Sequence, residues 1–120
     1  MLTVTRAFKV SLVHELAADL INGVFAGQHG HDFVIEVTVG GALDSKNGVL
    51  PARKNLTEIV NATIVRPLDG QKLNDFVEPA SAERLGEYVF NQLKATEIGP
   101  ELIGVQINET RKNRYQFFKR

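Results

Sequence analysis

An α+β domain is the fold class that the sequence predicts, with two helices covering a four-stranded antiparallel sheet. Three observations predict it: apolar residues alternate with polar ones near both ends of the chain, two helical patterns lie between these segments, and turn-forming residues separate them. The resulting order is strand, strand, helix, helix, strand, strand (ββααββ), which favours an antiparallel sheet with its helices on one face. From the length of 120 residues we expect a single domain covering positions 1–120.

The first two strands are predicted from a period of two. Apolar side chains take every second position in each segment, as in a strand with one buried face. The members of this set are Leu2, Val4, Phe8, Val10 and Leu12 in the first segment and Phe33, Ile35, Val37 and Val39 in the second. Residues 15–28 between them are long for a hairpin loop, and long loops beside polar residues are often functional.

Two helices are predicted in the middle of the chain. Apolar residues recur at helical spacing from Leu56, Asn55 with Glu58 resembles a capping box, and Pro67 is expected to end this helix. Ser81 is the expected N-cap of the second helix. Its buried stripe consists of Leu85, Val89 and Leu93.

Two more strands are expected near the C-terminus. Ile103, Val105 and Ile107 alternate with polar or small residues, and a turn then leads to a short final strand around positions 115–118. Parity places Glu109 on the apolar side of the third strand. A carboxylate there is unfavourable by several kcal/mol unless something satisfies it.

Composition and charge exclude several classes of function. Lysine plus arginine balance aspartate plus glutamate at 14 each, so there is no reason to expect nucleic acid or an anionic membrane as the partner. The absence of cysteine excludes a disulfide framework, a thiolate metal site and a cysteine nucleophile. No apolar run approaches the roughly 20 residues of a membrane span. The N-terminus alternates where a signal peptide would be continuously apolar. We therefore expect a cytoplasmic protein.

Histidines supply the strongest functional signal. The chain contains only three, and parity places all of them on apolar strand faces near one end of the sheet. His29 and His31 project to the same side of a strand, and His14 comes within reach if the two strands pair antiparallel. Three imidazoles with an open fourth position form a catalytic zinc arrangement. A single buried histidine is more often a hydrogen-bonded core residue, but the convergence of three favours a metal site.

Glu109 has two interpretations. As a strand-end residue it would reach solvent or pair with Arg111 or Arg114. As a site residue it would accept two side-by-side hydrogen bonds from a flat heterocycle with adjacent N–H donors, such as a pterin or guanine. The basic, aromatic segment RKNRYQFFKR at the end of the chain is interpreted as a solvated hairpin.

A family resemblance combines these motifs. The segments VSLVHEL, QHGHDF, LDGQKLN, SAERLGEYV and VQINET occur in this order and lead to Tyr115, so they cover nearly the whole chain. On these segments the chain resembles the 6-pyruvoyl-tetrahydropterin synthase and 6-carboxy-tetrahydropterin synthase family. The most specific part is HGH followed by an acidic and an aromatic residue, together with the upstream strand-end histidine.

The resemblance implies a tunnelling fold assembled into trimers and then hexamers, with sites between subunits. It implies zinc on His14, His29 and His31, and a pterin ring anchored by Glu109. Ser81 matches the family's substrate-contacting threonine if Glu83 is aligned with the family's glutamate.

The chain departs from the family at the acid/base positions. The usual catalytic cysteine, four residues before HGH, is Phe25, and the aspartate-histidine pair of the family is Asp69 followed by Gly70. The aspartate-phenylalanine before the first helix is Ala52 and Arg53. Phenylalanine and glycine cannot move a proton.

The sequence therefore leaves more than one functional hypothesis. The first is a zinc-dependent lyase that acts on a reduced pterin such as dihydroneopterin triphosphate. Its base would be Asp69, which keeps the family position, or else Asp32, Glu15 or a metal-bound water. The second is a metal- and pterin-binding homologue without lyase activity. The third is aldolase or epimerase chemistry on the pterin side chain.

Overall fold

Five strands form one sheet in the computed structural model, which describes residues 1–16, 27–109 and 112–119. The strands are β1 Leu2–Leu16, β2 Gly27–Gly41, β3 Gln71–Lys72, β4 Leu102–Asn108 and β5 Arg114–Phe118. Their order across the sheet is β3-β1-β2-β4-β5. Neighbouring strands pair antiparallel except for β3, which runs parallel to β1.

The predicted α+β class is confirmed, with one difference in the sheet. Four antiparallel strands were expected, whereas the described residues form a mixed sheet with the short strand β3 added at the edge. Its two residues pair with Leu12 and Val13 of β1. A strand of this length contains no alternation from which it could be predicted.

Two helices cover one face of the sheet. Helix α1 (56–68) consists of an α-helical turn Leu56–Val60, a π-helical turn Asn61–Val65 and a final α-helical turn Arg66–Leu68. Helix α2 is Ala82–Lys94, and the Ser81 hydroxyl accepts a hydrogen bond from the Arg84 N–H at 3.1 Å. The predicted N-cap of α2 is therefore confirmed.

Helix α1 begins at Leu56 as predicted, but its capping interaction and its C-terminal end differ from the prediction. Asn55 lies in the left-handed region at φ 63° and its side chain makes no capping hydrogen bond, so the expected capping box does not form. The helix also extends one residue past Pro67. The π-helical turn ends at Val65, two residues before Pro67, and widens the backbone where the proline ring would otherwise clash with the carbonyl four residues earlier.

The core lies between the helices and the apolar face of the sheet. Alternate residues of β1, β2 and β4 are buried there against α1 and α2. The largest side chains of this set with less than 2% exposure include Phe33, Leu12, Ile35, Leu56, Ile64, Leu85, Leu93 and Ile107. Among the described residues, His14 is the one buried polar or charged side chain. His14, one member of the predicted histidine cluster, is thus part of the core.

The opposite face of the sheet is polar. Glu36 accepts hydrogen bonds from the Gln106 and Asn108 amides at 2.8 and 2.7 Å. The hydroxyls of Thr5 and Thr38 lie 2.6 Å apart on the same face. Across the described part of the chain, no helix has the length and apolar character needed to span a membrane.

Helix α2 approaches the sheet most closely at Gly86. A Cβ atom built there would lie 2.5 Å from Phe117 Cε2 and 3.2 Å from Ile107 Cγ1. Glycine is therefore required by packing, although it is a poor residue for the middle of a helix.

We expect Gly86→Ala to lower the free energy of unfolding by about 1–3 kcal/mol through overpacking. This loss should exceed the gain of about 1 kcal/mol that alanine has over glycine as a helix former. Urea unfolding followed by circular dichroism measures the change. Asn91→Ala, at an exposed position of the same helix, is the control and should be neutral or stabilising. A Gly86→Ala protein as stable as the parent would contradict the close approach.

Candidate metal and ligand site

The register of β1 against β2 brings the predicted histidines to one end of the sheet. His14 is directly opposite His29, and Leu12 is directly opposite His31. Opposed residues on neighbouring antiparallel strands have Cα atoms roughly 4.5–5.5 Å apart. The antiparallel pairing on which the histidine prediction depended is therefore present. The side chain of His29 lies outside the described part of the structure, so its role as a ligand stays a prediction.

His14 and His31 form the described part of the cluster. His14 is 1% exposed and His31 is half-buried. Their ring centroids are 5.1 Å apart, with an interplanar angle of 69°. Phe33 lies against both rings, at 5.8 Å from His14 and 5.6 Å from His31. One wall of the site is thus apolar and aromatic.

A backbone carbonyl orients the His14 ring. Nδ1 of His14 lies 2.8 Å from the carbonyl oxygen of the buried residue Ala80. Since a carbonyl oxygen only accepts, Nδ1 carries the proton and donates it, and Nε2 keeps the lone pair. This arrangement, one ring nitrogen held by a carbonyl and the other left as an electron-pair donor, is typical of metal-binding histidines.

Glu109 belongs to the same cluster. One ligand atom each from His14, His31 and Glu109 lie within 4.8 Å of one another. Around a tetrahedral zinc ion with bonds of about 2.0–2.1 Å, ligand atoms are roughly 3.4 Å apart, so a modest rotation of side chains would bring this set together. Neutral imidazole and carboxylate are ligands that suit zinc. The donor set fits a divalent metal.

The Glu109 carboxylate is half-buried and has no hydrogen bond or ion pair with any residue that the structure describes. Its backbone N–H donates to the Asn113 carbonyl at 3.2 Å, which closes the turn after β4. Arg114 pairs with Asn108 and lies on the polar face of the sheet, away from the carboxylate. The alternative partner Arg111 lies outside the described residues.

Tyr115 stands beside this carboxylate on the last strand. Burial raises the pKa of the Tyr115 phenol above its ordinary value, and the negative charges of Glu109 and Glu83 raise it further. The phenol therefore stays protonated and able to donate a hydrogen bond at neutral pH. The two carboxylates give this side of the site a negative field that favours a cation.

Asn74 holds the end of β1 next to His14. Its side-chain oxygen accepts the Glu15 N–H at 2.9 Å, and its amide nitrogen donates to the Glu15 carbonyl at 3.0 Å. The side-chain amide thus replaces a neighbouring strand at the residue that follows His14. No local pattern in the sequence signals this long-range contact.

The structure places Asp69 at the edge of β1 and outside the cluster of His14, His31 and Glu109. Its carboxylate accepts the Ser11 N–H at 2.8 Å, and the Gly70 N–H donates to the Ser11 carbonyl at 2.7 Å. Gly70 has a φ of +79°, which favours glycine. The Asp69–Gly70 pair therefore closes the edge of β1 just before β3 begins.

The other candidate bases are engaged elsewhere. The Ser11 hydroxyl donates to Asp32 at 2.5 Å on the polar face of the sheet. This hydrogen bond and the nearby Lys9 hold the pKa of the exposed Asp32 carboxyl below its usual value. Glu15 lies 3.9 Å from the Lys72 ammonium. Phe25 lies outside the described residues.

Comparison with known proteins gives consistent matches. A sequence model of the family described as 6-pyruvoyl tetrahydropterin synthase matches residues 3–120. A 6-pyruvoyl tetrahydrobiopterin synthase of Drosophila melanogaster is 33% identical over 91 residues, which cover 71% of this chain and 54% of that protein. The protein of the same name from Poecilia reticulata is 28% identical over 90 residues, which cover 71% of this chain and 61% of that protein. The chain thus spans between about half and three fifths of the length of these relatives.

Solved structures share the fold over the full chain. Caenorhabditis elegans 6-pyruvoyl tetrahydropterin synthase superposes with a TM-score of 0.84 at 23% identity, covering 99% of this chain and 96% of that one. The Plasmodium falciparum protein described by the same name superposes with a TM-score of 0.70 at 16% identity, covering 98% of both chains. At these identities the likeness concerns the fold, and the predicted tunnelling fold is confirmed.

We expect Asn74→Ala to lower the free energy of unfolding by about 1–3 kcal/mol, because two hydrogen bonds to the Glu15 backbone and a longer one to the Glu78 carboxylate at 3.4 Å are lost. Hydrogen exchange measured by NMR should also show faster exchange of the Glu15 amide. Asn91→Ala, an exposed asparagine on α2, is the control. Unchanged protection of Glu15 in Asn74→Ala would contradict the strand-like pairing.

Proposed function

The chain belongs to the 6-pyruvoyl tetrahydropterin synthase family, and from that premise we propose that it is a zinc-dependent lyase acting on a reduced pterin such as dihydroneopterin triphosphate. The observation that carries the proposal is the cluster of two imidazoles and one carboxylate, with ligand atoms within 4.8 Å of one another, on the buried side of the sheet. Pterins offer the adjacent N–H donors that a carboxylate accepts in pairs.

His14 and His31 would hold the metal, with His29 as the third imidazole. His14 supplies Nε2, since Nδ1 is held by the Ala80 carbonyl. Bound zinc supplies Lewis acidity to a hydroxyl or carbonyl oxygen of the substrate side chain. Phe33 excludes water from one side of the ring pair, which strengthens electrostatic interactions in the site.

Glu109 and Ser81 would bind the pterin ring. The Glu109 carboxylate is half-buried at the end of β4, where both oxygens can accept from a flat ring. The Ser81 hydroxyl accepts the Arg84 N–H, which leaves its own hydrogen for an acceptor on the substrate. Ser81 directly follows Ala80, whose carbonyl orients the His14 ring, so one short segment supports both the Ser81 hydroxyl and a metal ligand.

Proton transfer is the weakest part of the usual apparatus in this chain, because Phe25 and Gly70 replace the family's cysteine and histidine. We propose Asp69 as the base. One of its oxygens accepts the Ser11 N–H, and the exposed carboxylate lies outside the cluster of its own chain. It would therefore act on a site shared with a neighbouring subunit.

A homo-oligomer, as a trimer or hexamer, follows from the same proposal. Residues 2–11 of β1 lack a strand neighbour on one side among the described residues, and so does β5. Exposed strand edges of this kind pair with other chains unless they are blocked. Leu2 and Phe118, which are 45% and 62% exposed, lie on these two edges.

Size-exclusion chromatography with light scattering tests the assembly. We expect a mass of three or six times 13.3 kDa. In β5 the Lys119 N–H donates to Ile103, so by alternation the Gln116 N–H points away from β4. Gln116→Pro should therefore disrupt the oligomer and keep the β4–β5 ladder, while Gln116→Ala should leave the mass unchanged. A monomeric parent protein would contradict the assembly.

A second candidate function is a metal- and pterin-binding protein without lyase activity. The replacement of both proton-transfer positions by Phe25 and Gly70 favours it. Aldolase or epimerase chemistry on the pterin side chain is the third. The three differ in what happens to a bound pterin, so the identity of the product separates them.

The test combines metal content, binding and turnover. Elemental analysis of protein prepared in excess zinc should give about one zinc per chain, and His31→Ala should lose it, whereas Gln116→Ala should not. Mass spectrometry should show triphosphate elimination from dihydroneopterin triphosphate. It should be abolished in His31→Ala and slowed by about 10²–10⁴-fold in Asp69→Asn, the usual contribution of a general base. Tight pterin binding in calorimetry without conversion would favour the second candidate. A protein that takes up neither zinc nor pterin would refute the proposal.

A further inference from the structure

We propose that the Glu109 carboxylate also occupies the fourth coordination position of the metal in the absence of substrate, and that a bound pterin ring withdraws it. This inference rests on the proposed function and adds a regulatory device to the same site. Without substrate, all four coordination positions of the metal would be filled by protein ligands, and binding of the ring would free one of them.

Glu109 lies close enough to both imidazoles to share a metal ion with them. The ligand atoms of His14, His31 and Glu109 all lie within 4.8 Å of one another. A glutamate side chain has three rotatable bonds, and a change in one of them covers the remaining distance of about an ångström to the roughly 3.4 Å of a tetrahedral ligand set.

The surroundings of the Glu109 carboxylate also favour a bound cation. The carboxylate is half-buried and forms no hydrogen bond or ion pair with the residues that the structure describes. Partial desolvation of a carboxylate is unfavourable, and a nearby cation offsets this cost. Its charge is also felt by Tyr115, whose phenol pKa is raised by burial first and by Glu109 second. A divalent ion on the two imidazoles would satisfy it directly.

Anchoring the pterin ring and coordinating the metal are roles that Glu109 cannot fulfil at the same time. Three imidazoles and one carboxylate fill the four positions of a tetrahedral zinc site, as in closed structural sites. A ring with adjacent N–H donors takes both carboxylate oxygens side by side. The Glu109 carboxylate cannot satisfy the ring and complete the metal's coordination with the same oxygens, so binding of the ring frees one coordination position for the substrate side chain.

Coupling follows from this exclusion. If the ring removes an inhibitory ligand from the metal, ring and a second metal ligand must each increase the other's affinity, because coupling between two sites is reciprocal. A small anion that binds only the open metal can therefore report the position of Glu109 without any turnover.

The experiment uses the full-length protein loaded with Co²⁺ and titrated with azide, followed by visible absorption. The parent protein should bind azide weakly. Glu109→Ala should bind it at least about tenfold more tightly, and Glu109→Gln, which keeps the size of the side chain, should behave in the same direction. Glu87→Gln, a change in an exposed carboxylate of α2 that is ion-paired with Arg84, is the control and should behave as the parent.

A second arm adds a tetrahydropterin that lacks the triphosphate leaving group. It should raise the azide affinity of the parent protein by at least about tenfold and leave that of Glu109→Ala unchanged. Equal azide affinity in the parent, Glu109→Ala and Glu109→Gln proteins, each with cobalt bound, would overturn the inference and leave the proposed function intact. A parent protein without a cobalt spectrum would instead overturn the proposed metal site and the inference together.

Discussion

The antiparallel register of β1 and β2 is the constraint on which the site depends. The two strands pair continuously from Leu2 opposite Gly41 to Leu16 opposite Gly27. This register places His14 and His31 on the same face as Phe33 and the rest of the buried residues. A slip by one residue would turn every side chain of one strand to the polar face. The apolar alternation that builds the core is therefore also what brings the imidazoles together.

The segment before helix α2 links this register to the rest of the molecule. The Ala80 carbonyl holds the His14 ring, and the next residue, Ser81, caps α2. Helix α2 is in turn fixed against β4 and β5 through the close approach at Gly86. The ring orientation of one histidine is thus supported by helix packing at the other side of the core. Without such an acceptor, the buried imidazole N–H would be an unsatisfied donor, at a cost of about 1–3 kcal/mol.

The sequence predicted the parts of the fold that depend on periodicity. Alternation located the long strands and the shared face of His14 and His31, and the Ser81 cap marked the start of α2. Contacts between distant residues carried no such signal. The pairing of Asn74 with Glu15, the contact of Asp69 with Ser11 and the two-residue strand β3 all depend on tertiary structure. The start of α1 at Leu56 was predicted, but the expected capping hydrogen bond does not form, because Asn55 adopts a left-handed backbone conformation.

In the candidate site, too, the features that depend on strand periodicity were predicted and those that depend on contacts between distant groups were not. Parity placed Glu109 on the apolar side of β4, and the structure adds that its carboxylate lies beside the two imidazoles. The source of proton transfer could not be predicted, because Phe25 and Gly70 remove the groups from which it would be argued. In physical terms, the positions of the proposed ligands follow from local strand geometry, whereas the proposed base would depend on an assembly that no local pattern records.

The most direct test of the central claim is the tautomer of His14, measured by long-range proton–nitrogen NMR correlation of the imidazole rings. The register and the 2.8 Å contact with Ala80 predict a neutral ring protonated at Nδ1. Addition of zinc should shift the Nε2 resonance and leave the Nδ1 proton in place. A ring protonated at Nε2, or a His14 spectrum unchanged by zinc, would contradict the account.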